Sequence, residues 1–150
     1  MNLTIYNSRE KKKFLKMLKE QFDFELDQDY FFMESSKQKI YVINTELTNI
    51  YIDNYRIDSM GLYIGKYQSD GFRPSIEGSQ IIGPRAKKNV LDITLEQRHS
   101  WLKGEDLAVN VDNGIYIVKC EDDFIGSGTV KNNILLTGIP KSRRLIVVNE

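Results

Sequence analysis

The chain has 150 residues, 41% of them hydrophobic and 11% aromatic, which is enough apolar material for a packed core in one domain or two small ones and excludes wholesale disorder. Its 21 Lys and Arg balance 21 Asp and Glu. That excludes a polybasic protein whose affinity rests on bulk charge, yet leaves a local cationic patch free to bind nucleic acid. The single cysteine, Cys120, excludes an internal disulfide and a cysteine-only zinc cage.

The opening residues, MNLTIYNSREKKK, lack the apolar stretch of a signal peptide, and no apolar run of about eighteen residues occurs. The expectation is a soluble cytoplasmic protein with no membrane partner. SREKKKFLKMLKEQF predicts a helix, with Ser8 as N-cap and Phe14, Met17, Leu18 and Phe22 as one apolar stripe. From Arg9 to Glu20 there are six bases and two acids; from Glu20 to Glu34 there are six acids and no base. The basic helix face reads as solvated surface or as a binding face. DYFFMES and KIYVIN, separated by SSKQ, predict a hairpin. LTNIYIDNYRI reads as a short strand or an irregular turn. MGLYIGKY predicts a strand broken by Gly61 and Gly65. A loop then leads to Ser75, placed to cap a short helix with Ile76, Ile81 and Ile82, which Gly83-Pro84 stops.

The polar, broken stretch GPRAKK marks a join. NVLDIT predicts a strand. TLEQRHSWLKGEDL predicts a helix with Thr94 as N-cap, Gly104 just past its end, and Trp101 as a buried anchor. Short strands follow at close intervals: LAVNV, GIYIVKC, FIGSGTV, NNILLTG and RRLIVV, with turns at DNG, EDD and KNN. This density predicts a small closed or nearly closed barrel. The fold class expected is α+β: an α/β domain over 1–84, then a β-barrel with one main helix over 89–150.

The order of WLKGEDL, DNGIYIVK, FIGSGTVKNNILL and IPKSRRLIV resembles a PUA domain over about residues 89 to 148. The likeness is nearest to the PUA-like tail of Sun-type RNA cytosine methyltransferases. The wider layout is similar to small ribosome-biogenesis proteins of archaea and eukaryotes, in which a pre-PUA α/β domain precedes the PUA barrel. The resemblance implies RNA binding across the helix, the loop after it and the late strands. Carried over position by position, it implicates Lys103, Gly104, Lys131, Lys141, Arg143 and Arg144. Gly126 and Gly128 fall on one side of their strand and serve either barrel closure or close approach of RNA.

Charge supports the cluster independently: from Lys131 to Glu150 there are four bases and one acid. Arginine presents a planar fork that matches phosphate oxygens, and Pro140 stiffens the turn before it. If Arg143 and Arg144 lay on a strand they would point to opposite faces, so that one binds and the other packs or pairs. No catalytic residues are predicted. His99, the only histidine, has no nucleophile beside it at any suggestive spacing, and the order of GSG is not that of a hydrolase elbow. No glycine-rich nucleotide or methyl-donor loop is present, so no cofactor is expected, and the acids at 121–123 read as a solvated turn rather than a metal site. The function expected is a non-catalytic RNA-binding protein acting on rRNA or tRNA, in ribosome biogenesis or RNA modification. The alternative is an adaptor that docks onto an RNA-modification enzyme, with other RNA-processing proteins as partners.

Overall fold

The computed structural model describes residues 3–26, 30–44 and 61–144. The stretch LTNIYIDNYRI and the last predicted strand beyond Arg144 lie outside the described residues. The first sheet is an antiparallel meander of five strands in sequence order: β1 (Leu3–Ile5), β2 (Tyr30–Ser35), β3 (Lys39–Asn44), β4 (Leu62–Gln68) and β5 (Gly71–Pro74). The predicted hairpin is β2–β3. Strands β1 and β5 are three and four residues long, too short for a sequence pattern to be read, and are placed by pairing with β2 and β4.

Helix α1 (Ser8–Phe22) covers one face of this sheet. Its N-cap is Asn7, one residue before the predicted Ser8. Asn7 and Glu10 form a capping box: the Glu10 amide donates to Asn7 Oδ1 at 2.9 Å and the Asn7 amide donates to Glu10 Oε1 at 3.1 Å. Phe14, Leu18 and Phe22 are buried. The Phe14 ring meets Phe32 at 5.0 Å and Phe72 at 5.2 Å between centroids, both edge-on, the arrangement favoured by the ring quadrupole. Gln21 staples the helix to the edge strand β5. Its Nε2 donates to the Phe72 carbonyl at 2.7 Å, and its Oε1 accepts from the Phe72 amide at 3.0 Å. A side-chain amide thus stands in for a strand partner at the sheet's edge.

Helix α2 (Ile76–Ile82) begins at Ser75, as predicted; the Ser75 hydroxyl accepts from the Gly78 amide at 3.0 Å. The helix packs against β4 on one side and against the second sheet on the other. Gly83-Pro84 ends the α-helix, and a single 3-10 turn, Gly83–Arg85, carries the chain on. The polar stretch after it caps α1. The Lys87 amide, the Lys88 ammonium and the Asn89 side-chain amide donate to the carbonyls of Phe22, Glu20 and Gln21, respectively, at 2.9, 3.1 and 2.6 Å. These are among the carbonyls that a helix end leaves without an internal partner.

The second sheet comprises β6 (Val90–Asp92), β7 (Leu107–Ala108), β8 (Gly114–Cys120), β9 (Asp123–Lys131) and β10 (Ile134–Thr137), ordered β6-β8-β9-β10-β7. Among the described residues, β6 pairs parallel with β8 and the other pairs are antiparallel. The sheet is curled into a half-barrel. A register shift at Val118/Lys119, opposite Gly126, gives part of that curl, as an extra residue bends and twists a strand. Helix α3 (Leu95–Leu102) starts at Thr94 through a capping box with Gln97, again as predicted, and lays Trp101 into a core with Val118, Cys120, Val130, Leu135 and Ile139. Trp101 and Cys120 are fully buried. Ile115 and Ile117 of β8 instead join the core beneath α1, so apolar packing is continuous between the two sheets.

Candidate nucleic-acid interface

Five of the six residues implicated by sequence meet at one corner of the half-barrel, where α3 ends. The Gly104 amide donates to the Trp101 carbonyl at 3.0 Å and the Glu105 amide donates to the Ser100 carbonyl at 3.1 Å, which closes the helix. Gly104 has φ +97°, a region that side chains other than glycine's rarely adopt. The Arg144 side chain lies across this glycine: a Cβ there would sit 2.6 Å from Arg144 Cδ. Arg144 Nε donates to the Ile139 carbonyl at 3.1 Å. That bond fixes the plane of the guanidinium and leaves its two terminal nitrogens for a ligand.

Lys141 and Arg143 lie on a 3-10 turn, Lys141–Arg143, whose N-cap is Pro140. The two arginines do diverge, but through a turn rather than strand alternation. Arg143 pairs with Glu77 at the start of α2, tying the turn to the first half of the chain. Lys103 lies 3.6 Å from Glu105. Lys141 is exposed, and neither it nor Arg144 has an acidic partner among the described residues. The corner therefore offers two cations that pair with no acid among the described residues. Partly exposed pairs such as Arg143–Glu77 and Lys103–Glu105 add little to stability, but each sets an acid against its cation.

Lys131 stands apart. It ends β9 and lines a groove between the sheets with Thr129, Thr137, Ser69, Asp70 and Arg73. Thr137 links the two places, since its hydroxyl lies 3.4 Å from the Trp101 carbonyl and its amide donates to Asp106 Oδ1 at 3.1 Å. Of the two readings for the glycines, the structure supports packing. A Cβ on Gly126 would press on Ile139 at 3.1 Å and on the Trp101 ring at 3.2 Å; one on Gly128 would meet the Leu136 carbonyl oxygen at 2.5 Å. Between them, the Ser127 hydroxyl donates to the Pro74 carbonyl, joining half-barrel to first sheet. Arg73 was missed by sequence because only the sheet packing brings it to Lys131.

Substituting Gly104 by alanine is expected to cost about 1–2 kcal/mol, because the backbone there has positive φ, and to displace Arg144. Urea unfolding reads the first effect. RNA affinity of the folded variant reads the second, and an unchanged affinity would separate Arg144 from binding.

Among the described residues, no group of three His, Cys, Asp or Glu side chains is placed to hold a metal ion, and no helix is long and apolar enough to cross a membrane. Residues 88–145 match the family model described as the methyltransferase RsmF PUA domain. All six implicated residues fall within the match. Comparison with curated proteins finds no match. This part of the chain is a PUA domain resembling the tail of Sun-type RNA methyltransferases. A PUA domain is an RNA-binding module, and the matched model, a methyltransferase's PUA domain, gives it an RNA-methyltransferase-related context.

Proposed function

We propose, from the PUA domain at residues 88–145, that the chain is a non-catalytic cytoplasmic protein that binds rRNA or tRNA in ribosome biogenesis or RNA modification, with residues 1–84 forming an α/β domain ahead of the PUA domain. The observation that carries the reading is the corner at Gly104. There the Ile139 carbonyl holds Arg144 across Gly104 at the end of α3, and the turn after Pro140 carries Lys141; neither has an acidic partner among the described residues. Arg144 is oriented before any ligand arrives, which reduces the side-chain entropy lost on binding. Lys141 adds a mobile point charge, suited to a phosphate approached from several directions. Phosphate contacts fix position and register, and base contacts confer sequence preference.

Crosslinking the protein to total RNA and sequencing what is bound tests the reading. Enrichment of rRNA or tRNA is expected; recovery in proportion to bulk messenger RNA contradicts it. Saturable binding of S-adenosylmethionine in calorimetry contradicts the non-catalytic part alone.

A further inference from the structure

The face of the first sheet opposite α1 carries cations that the corner does not use. The strand register sets Lys39 opposite Lys66, and Lys66 opposite Arg73. Residues directly opposite in an antiparallel pair share a face, so the three form one row across β3, β4 and β5. At the usual strand spacing the row spans about 10 Å. Their neighbours along the strands, Ile40 and Phe72, point the other way into the core beneath α1.

Like charges directly opposite one another destabilise a sheet. Here two such pairs stand side by side, and none of the three has an acidic partner among the described residues. All three are partly exposed. The sheet offers Lys39 some compensation, since its ammonium lies 5.7 Å from the centre of the Tyr63 ring. Among the described residues, Lys66 has nothing comparable. Arg73, at the end of the row, lines the groove that also holds Lys131, with the hydroxyls of Thr129 and Thr137 around it and Asp70 the one acid on its wall. The cationic row thus runs off the first sheet and onto the half-barrel.

An open row of cations, one per strand, does not converge on a single small anion. It suits a polyanion with repeated charges. We infer that Lys39, Lys66 and Arg73 form a phosphate track that carries an RNA strand from the PUA domain, past Lys131, across the first sheet. The inference rests on the RNA-binding reading of the PUA domain. It adds three RNA-binding residues outside the family match, on a sheet not yet assigned any function.

The test uses the full chain and an oligouridylate of about 16 nucleotides, the upper end of the site sizes known for single-strand binders. In the variant Lys39→Gln/Lys66→Gln/Arg73→Gln, the log-log salt slope of binding is expected to flatten by up to three phosphates' worth, about 0.7 each. Lys66→Gln alone separates binding from folding. Removing the central like charge should raise the melting temperature while lowering RNA affinity. A lysine with only a structural role would move both in the same direction, and that result overturns the track. If the triple variant keeps the wild-type slope while Lys141→Ala/Arg144→Ala flattens it, the track is overturned and the PUA reading stands; an acidic protein partner for this face would give the same result. If neither variant changes the slope, or the wild type does not bind, both readings fall.

Discussion

Trp101→Ala is expected to destabilise the protein by about 3–5 kcal/mol, the cost of a cavity left by a large aromatic side chain. The ring is fully buried in a core with residues of β8, β9 and β10: Gly126 of β9 lacks a side chain where its edge lies, and Ile139 packs beside it. No small neighbour can fill the space, because the strands around it are fixed by ladder hydrogen bonds. Trp101→Phe should cost much less. The buried indole N–H has no hydrogen-bond partner among the described residues, so phenylalanine removes an unsatisfied donor as well as some volume. In urea unfolding, both variants should shift the midpoint at constant m-value. An alanine cost below about 1 kcal/mol, with weakened RNA binding, would make Trp101 a base-stacking platform instead.

Gly78→Ala is expected to destabilise by about 1–3 kcal/mol, against the sign that helix propensity dictates. In a free helix the change should stabilise by about 1 kcal/mol. Here a Cβ on Gly78 would fall inside van der Waals range of the Ile64 carbonyl, which is backbone and cannot swing aside. Helix α2 cannot retreat either, because its far side is packed on β9. Relief would have to come from lifting the helix, which would stretch the bond from the Ser75 amide to the Ile64 carbonyl, now 2.9 Å, and loosen the join between the sheets. Thermal unfolding gives the answer by sign alone: a more stable Gly78→Ala would mean that α2 is not wedged.

Helix starts at Thr94 and Ser75 were legible in sequence because a cap is a local bond between a side chain and an amide three residues on. At α1, Asn7 and Ser8 are both good caps, and the deciding feature was Glu10 at the third position after Asn7, the partner a capping box requires. Strands β1 and β5 were not legible, since runs of three and four residues are too short for a period to be read and owe their conformation to β2, β4 and Gln21. At the site, local charge density pointed to Lys141, Arg143 and Arg144. It could not separate them, because Glu77, which neutralises Arg143, lies 66 residues away in sequence. The row from Lys39 to Arg73 was equally hidden, as it exists only once the strands are in register.

RNA affinity measured against salt concentration, for Lys141→Ala/Arg144→Ala beside Arg143→Ala, tests phosphate binding at the corner most directly. Every phosphate that the protein no longer neutralises removes about 0.7 from the log-log slope for single strands and about 0.9 for B-form duplexes. The double variant should show a slope flatter by about two phosphates' worth. It should remain folded, because neither side chain belongs to either apolar core. Arg143→Ala should leave the slope nearly unchanged, its charge being already paired with Glu77. A folded double variant with the wild-type slope, or an Arg143→Ala slope that falls as far as the double variant's, would contradict phosphate binding by Lys141 and Arg144.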